Sequence, residues 1–339
     1  MSGKRRHIAR AALTYNRRSA GLRPYVAAAV VSAAALAVAA LVNRHLANRA
    51  EGNHPPSGSF LDMKGGARLH YVERGAGEPL VLLHGNGSMI EDFESSGLID
   101  LAAKQYRVIV IDRPGFGHSN RPRDVVWTPD AQAELIARAL SKLGVASTLV
   151  LGHSWGASVA AALALKYPAL VRGLVLASGY YYPTMRLDVV AMAAPAMPLF
   201  GDFIAYSMAP LVGRLIWPRM LAKAFGPQPV PDKFTKFPKE MALRPWQIRA
   251  SAVEAALMLP DAIRYRDRYK ELKMPVVIIA GDGDQIVDTR AQSARLHANI
   301  LHSEFHLVRG AGHMIQQTAT GDVMAAINRV AGGLAAVKI

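Results

Sequence analysis

Cysteine is absent from all 339 residues. That excludes disulfide staples, zinc–thiolate sites and a cysteine nucleophile, and it fits an oxidising and a reducing compartment equally well. Acidic residues are missing before Glu51, whereas Lys4, Arg5, Arg6, Arg10, Arg17, Arg18, Arg23, Arg44 and Arg49 all precede it. Those nine cations carry most of the formal net charge of +15 and leave about +6 on everything else. The basic balance therefore belongs to the leader, and a nucleic-acid partner is not expected. No Gly-x-x-x-x-Gly-Lys-Ser/Thr phosphate cradle occurs, and no His/Asp/Glu cluster has metal-ligand spacing, so neither a cofactor nor a metal is expected. With 51% hydrophobic residues, the chain has ample material for a sizeable core.

One long apolar run is present. Tyr25–Val42 is free of charge, and half of it is alanine. As a helix it would be about 27 Å long, just under the roughly 30 Å hydrocarbon core of a bilayer. Seven Lys/Arg precede it and two follow closely. The positive-inside rule then puts the N-terminus in the cytoplasm and the large domain on the far, periplasmic or extracytoplasmic side. Residues 1–24 read as a basic leader, 25–42 as a single-pass signal anchor and 43–58 as a linker. The polar, two-proline stretch Asn48–Ser59 within that region reads as a tether. Two other readings stay open: a cleaved export signal, although Leu46-Ala47-Asn48-Arg49 lacks a small-x-small cleavage site, and an alanine-rich soluble helix.

From Phe60 onward, short Val/Ile/Leu-rich runs alternate with helical patterns. Arg68–Val72, Leu80–His84, Arg107–Ile111, Thr148–Leu151, Leu174–Ala177, Pro275–Ala280 and Glu304–Val308 read as strands. Pro129–Leu143 reads as a helix, capped by Thr128 and opened by a proline. This rhythm predicts an α/β fold with a doubly wound, mostly parallel sheet. It is interrupted between Ala177 and Pro275, where prolines and Met-, Leu-, Phe- and Trp-rich amphipathic pieces predict a helical cap over 181–272. The sheet core then comprises 59–180 and 273–339.

The chemistry concentrates in three places. Gly152-His153-Ser154-Trp155-Gly156 lies between a strand and a small-residue helix, a corner that exposes a serine hydroxyl and leaves no room for side chains two residues to either side. A serine needs a base within hydrogen-bond reach and a carboxylate to orient that base. Strand Pro275–Ala280 runs into Gly281-Asp282-Gly283-Asp284, and strand Glu304–Val308 into Gly310-Ala311-Gly312-His313. Each candidate follows its own strand, so all three converge on the sheet edge where open α/β sheets bind ligands.

With His84-Gly85-Asn86-Gly87 and Asp112-Arg113-Pro114-Gly115-Phe116-Gly117 in order ahead of these loops, residues 59–339 resemble an α/β-hydrolase fold enzyme. The resemblance implies Ser154 as nucleophile, His313 as general base and then acid, and Asp284 as the orienting acid. Asp282 on the same loop is its rival. Some relatives carry the acid one strand earlier, but Ser178-Gly179-Tyr180 offers no carboxylate. The backbone N–H groups of Asn86 and Trp155 are the implied oxyanion donors, with Gly87 as a substitute for the first. His84, His153 and His118 read as bracing residues. Related dehalogenases and epoxide hydrolases place an aspartate at the elbow, a role Ser154 cannot fill.

The expected protein is a membrane-anchored serine hydrolase acting on a small-molecule acyl substrate. A cap rich in Met185, Met192, Met197, Leu199, Phe200, Phe203 and Met208 suggests a lipophilic one. The alternatives are an acyltransferase or carbon–carbon bond hydrolase on the same triad, and a non-catalytic hydrolase-like binding protein.

Overall fold

The computed structural model describes residues 3–184, 187–198 and 200–333, with the side chains of 24–184, 189–198 and 200–333. Met185 and Leu199 of the expected cap lining lie outside the described residues, as do the first two and last six positions of the chain.

Among the described residues eight strands form one sheet: β1 (Ser59–Asp62), β2 (Arg68–Arg74), β3 (Glu78–Leu83), β4 (Tyr106–Ile111), β5 (Thr148–His153), β6 (Val171–Ala177), β7 (Val276–Gly281) and β8 (Glu304–Val308). Their order is β1-β2-β4-β3-β5-β6-β7-β8. The pairs β1–β2 and β2–β4 are antiparallel, and all others are parallel. Strand β1 has no counterpart among the strands read from sequence. Its four residues, Ser-Phe-Leu-Asp, are too few to show alternation, and as an edge strand it is only half-buried.

Side chains alternate between two apolar layers, as the pleat requires. Val81, Leu83, Ile109, Ile111 and Val150 face α4 (Pro129–Lys142) and α5 (Trp155–Lys166). Leu80, Leu82, Val108, Val110, Leu149 and Leu151 face the opposite layer. That layer holds α2 (Ile90–Ser96), α3 (Leu98–Ala102), the short α12 (Ile315–Thr318) and α13 (Thr320–Gly333), whereas α11 (Arg295–Asn299) joins the first layer through Leu296. Thr128 caps α4 by accepting a hydrogen bond from the Ala131 N–H (3.3 Å).

Between β6 and β7 lie α6 (Leu187–Met192), α7 (Gly201–Tyr206), α8 (Ala209–Phe225), α9 (Lys239–Ala242) and α10 (Pro245–Tyr265), with no strand among the described residues. These helices form the cap. One fastening of the cap to the core is Arg113, fully buried in the loop after β4. All five guanidinium N–H groups are used. Nε donates to the His84 carbonyl (2.8 Å), and Nη2 to the Gly85 carbonyl (3.0 Å) and to Glu254 Oε2 on α10 (3.1 Å). Nη1 donates to Gln132 Oε1 on α4 (2.9 Å) and to Glu254 Oε1.

The expected linker is corrected. Helix α1 runs unbroken from Gly3 to Asn53, so residues 43–53 add about three turns to the apolar run instead of forming a tether. Asn43, Ala47 and Ala50, at helical spacing, are buried. Asn43 Nδ2 donates to the carbonyls of Tyr206 (3.0 Å) and Ser207 (2.7 Å), and Arg214 Nη1 donates to Asn43 Oδ1 (3.0 Å). Arg244 Nη1 reaches Glu51 (2.6 Å). Small residues let the helix approach the cap closely, and the backbone acceptors that hold it have no sequence signature.

Breaking the Arg113–Glu254 pair from one side strands a buried charge. Glu254→Ala is expected to lower unfolding free energy by about 3–5 kcal/mol, read from the midpoint of a urea titration of the full chain. The paired replacement Arg113→Met with Glu254→Leu is expected to recover most of that loss.

Candidate active site

Strand β5 delivers Ser154 at a backbone conformation of φ 53°, ψ −120°, a left-handed angle that a non-glycine residue adopts only under constraint. Two contacts impose it. The Ser154 N–H donates to the Ala177 carbonyl of β6 (2.8 Å), continuing the sheet pairing into the corner, and α5 starts at the next residue. The flanking glycines are required by space: a Cβ on Gly152 would fall on the Gly156 carbonyl, and one on Gly156 on the Leu83 carbonyl.

Across the edge, Asp284 follows β7 and His313 follows β8. His313 Nε2 lies 3.0 Å from Ser154 Oγ, and His313 Nδ1 lies 2.8 Å from Asp284 Oδ2. The other Asp284 oxygen accepts the N–H groups of Ile286 and Val287, both at 2.8 Å. Asp282 points elsewhere and accepts the Gly310 N–H (2.7 Å), which stitches the two loops together. Of the two aspartates, Asp284 is therefore the one facing the imidazole. Burial pushes the Asp284 carboxyl up, but the His313 charge and hydrogen bond, with the two backbone donors, outweigh it and hold the group below the usual carboxylate range. An ionised Asp284 keeps the proton of a neutral His313 on Nδ1, leaving Nε2 free to accept the serine proton.

The loop after β3 lies against the serine: a Cβ on Gly85 would come within 3.1 Å of Ser154 Cβ. The backbone N–H groups of Asn86, on this loop, and of Trp155, at the start of α5, find no acceptor among the described residues. Both remain available to a developing oxyanion. Asn86 Nδ2 donates to the Ser251 carbonyl of α10 (3.1 Å), so the cap steadies this loop as well.

Two further histidines are structural. His84 shares a hydrogen bond with the Gly85 carbonyl through Nδ1 (2.8 Å), and its Nε2 accepts the Arg113 N–H (3.0 Å). His153 Nε2 bonds the carbonyl of His313 (3.0 Å). Burial, reinforced by the nearby charges of Arg113 and His313 respectively, lowers each to about 3, so both are neutral at physiological pH. His118 reaches the His54 carbonyl (2.9 Å), away from Ser154.

One contributor has no sequence signal at all. The carbonyl of Ala224, near the C-terminal end of α8, accepts the N–H groups of His313 (3.0 Å) and Met314 (3.3 Å). Among the described residues no group of three or more His, Asp or Glu is placed to hold a metal ion.

A model of the alpha/beta hydrolase fold family matches residues 78–320. Haloalkane dehalogenase 2 of Mycobacterium tuberculosis is 32% identical over 155 residues, 46% of this chain and 52% of its own length. The chain thus matches about half the length of that curated relative. A 2-hydroxy-6-oxononadienedioate/2-hydroxy-6-oxononatrienedioate hydrolase of Paraburkholderia phymatum is 28% identical over 268 residues, 74% of this chain and 85% of its own. Among solved structures, a membrane phospholipase A shares the fold with a TM-score of 0.63 at 19% identity, over 96% of this chain and 99% of its own.

The buried neutral histidines each carry a pH-dependent contribution to stability, opposed by Glu91 and Asp261, whose carboxyls burial raises to about 8 and about 7. The histidines' folded values near 3 lie below the unfolded value near 6.5, so these two sites bind more protons in the unfolded chain between these limits and their contribution to stability falls as pH drops through that window. Asp284 adds to the fall at the acid end, because its contribution is lost as pH drops through its depressed folded value. His153→Asn is expected to reduce the slope of unfolding free energy between pH 6 and 4 by about 1.4 kcal/mol per pH unit. Denaturation midpoints measured across that range check it.

Proposed function

We propose that this chain, which belongs to the alpha/beta hydrolase fold family, is a membrane-anchored serine hydrolase that cleaves a lipophilic carboxylic ester or related acyl compound through an acyl-enzyme on Ser154. The observation that carries this reading is the hydroxyl–imidazole–carboxylate line, with 3.0 Å from Ser154 Oγ to His313 Nε2 and 2.8 Å from His313 Nδ1 to Asp284.

In the proposed reaction, His313 takes the serine proton as Oγ attacks the substrate carbonyl, while Asp284 stays ionised and stabilises the imidazolium. The backbone N–H groups of Asn86 and Trp155 receive the oxyanion. Collapse expels the alcohol, protonated by His313, and leaves the acyl group on Ser154. Water then attacks that ester, giving its proton to His313, and the second tetrahedral species releases the acid and returns the proton to Ser154.

The dehalogenase relative does not lend its reaction to this site. A serine that displaced a halide from an alkyl carbon would form an ether, which water cannot open at neutral pH, whereas an acyl group on serine is an ester that it can. A carbon–carbon bond hydrolase on the same triad is a second reading, favoured by the relative whose length this chain covers to 85%.

The anchor reading is supported by Pro24–Asn53, a helix whose apolar window has no residue buried within the protein. The excess of Lys/Arg before that window supports a cytoplasmic N-terminus with the catalytic domain beyond the membrane. Similarity in fold to a membrane phospholipase A over 96% of the chain favours an ester of a lipid kind.

A fluorophosphonate probe is expected to label the wild type and not Ser154→Ala; absence of labelling on both would point to a binding protein. Asp284→Asn is expected to cut kcat by about 10⁴-fold, while Asp282→Asn leaves it within a few-fold. Among p-nitrophenyl esters the rate is expected to rise with acyl length. Preference for the shortest acyl group would overturn the lipophilic reading, and turnover of a vinylogous diketone without esterase activity would establish the carbon–carbon reading.

A further inference from the structure

The cap carries an apolar face that no part of the described chain covers. Met208, which immediately precedes α8, and Leu211, Val212 and Leu215 on it recur at the spacing of one helical stripe, and all are exposed, Leu215 to 81%. Phe203 on α7 and Phe200 just before it, exposed to 51% and 64%, extend the stripe across the joint between the two helices. Surface helices normally turn such a stripe inward; this one is inverted. A contiguous exposed patch of large aliphatic and aromatic side chains marks an interaction surface.

Its position relative to α1 identifies the partner. Asn43 closes the charge-free run, and its amide is bonded to the carbonyls of Tyr206 and Ser207, which form the α7–α8 joint. The point where α1 would leave hydrocarbon is thus fastened to the point from which the apolar stripe starts. Because α1 continues as helix into this contact, no hinge lies between the two. The polar groups fall where headgroups would be: Arg44 and His45 follow Asn43 on α1, and Arg219, one turn beyond Leu215 on the same face of α8, is exposed. A rim of cations suits anionic headgroups and would oppose a second copy of itself.

We infer that the exposed apolar face of α7 and α8 is buried in the lipid leaflet beside α1, so that the cap is an interfacial membrane element. This rests on the anchor reading and not on the chemistry at Ser154. The partner is the leaflet itself: acyl chains against the stripe and phosphate groups against Arg44 and Arg219.

The absence of cysteine permits a direct test on the full chain in vesicles of phosphatidylcholine and phosphatidylglycerol. Single variants Val30→Cys in α1, Leu215→Cys in α8 and Leu301→Cys in the 93% exposed turn before β8 receive an environment-sensitive fluorophore. Lipids bearing a nitroxide on the acyl chain are expected to quench the labels at 30 and 215 several-fold more than the label at 301. Quenching at 30 with the label at 215 as aqueous as that at 301 would overturn the inference and leave the anchor standing. No quenching at 30 would remove the anchor and the inference together. Protection at 215 that appears only as the protein-to-lipid ratio rises would assign the face to a second copy and overturn the inference. The double variant Leu211→Asp with Leu215→Asp is expected to keep fluorophosphonate labelling of Ser154 and turnover of a soluble ester, but to lose vesicle-borne ester hydrolysis several-fold. Unchanged hydrolysis of the vesicle-borne ester would count against it.

Discussion

A single buried guanidinium ties together the parts of this molecule that chemistry requires to be still. Arg113 sits in the loop after β4, yet its five donors reach the carbonyls of His84 and Gly85, the amide of Gln132 on α4 and the carboxylate of Glu254 on the cap. Burying a charge this deeply is costly, and the cost is tolerable only because every donor is satisfied and the counter-charge is equally dry. Gln132 completes the closure by donating to Glu254 (2.9 Å). The segment that carries the Asn86 N–H is held by a side chain that is itself held by the cap, so the cap is part of the scaffold around Ser154.

A similar economy governs protons. Near Ser154 the chain places three imidazoles, of His84, His153 and His313, but only His313 lies beside both a carboxylate and the hydroxyl. The other two are sealed from water and stay uncharged, holding backbone carbonyls as neutral donors. Excluding charge from these positions leaves the field around His313 to Asp284 and to whatever negative charge develops on the substrate.

What could be read from the chain and what could not follows from the range of the forces involved. The elbow was legible because Gly152 and Gly156 answer steric conflicts within a few residues of Ser154. The inner strands were legible because burial on both faces demands unbroken Val, Ile and Leu. The three converging loops could be placed because each follows a strand of a parallel sheet. Strand β1 was not legible, since an edge strand of four residues carries no period. The docking of residues 43–53 was missed because polar Asn43 and small Ala47 and Ala50 look like linker until the Tyr206 and Ser207 carbonyls are present. The choice of Glu254 as partner for Arg113, 141 residues away, leaves no local trace either.

The hydrogen bond from the His313 N–H to the Ala224 carbonyl has a consequence for how this cap can diverge. A main-chain acceptor survives any side-chain replacement, so mutation can rewrite the composition of α8 without touching the tie. Length is another matter. One residue inserted into or deleted from Ala209–Phe225 would turn the terminal carbonyls by about 100° about the helix axis and swing the acceptor off the imidazole loop. Descendants of this chain are free to recolour that helix but not to recount it.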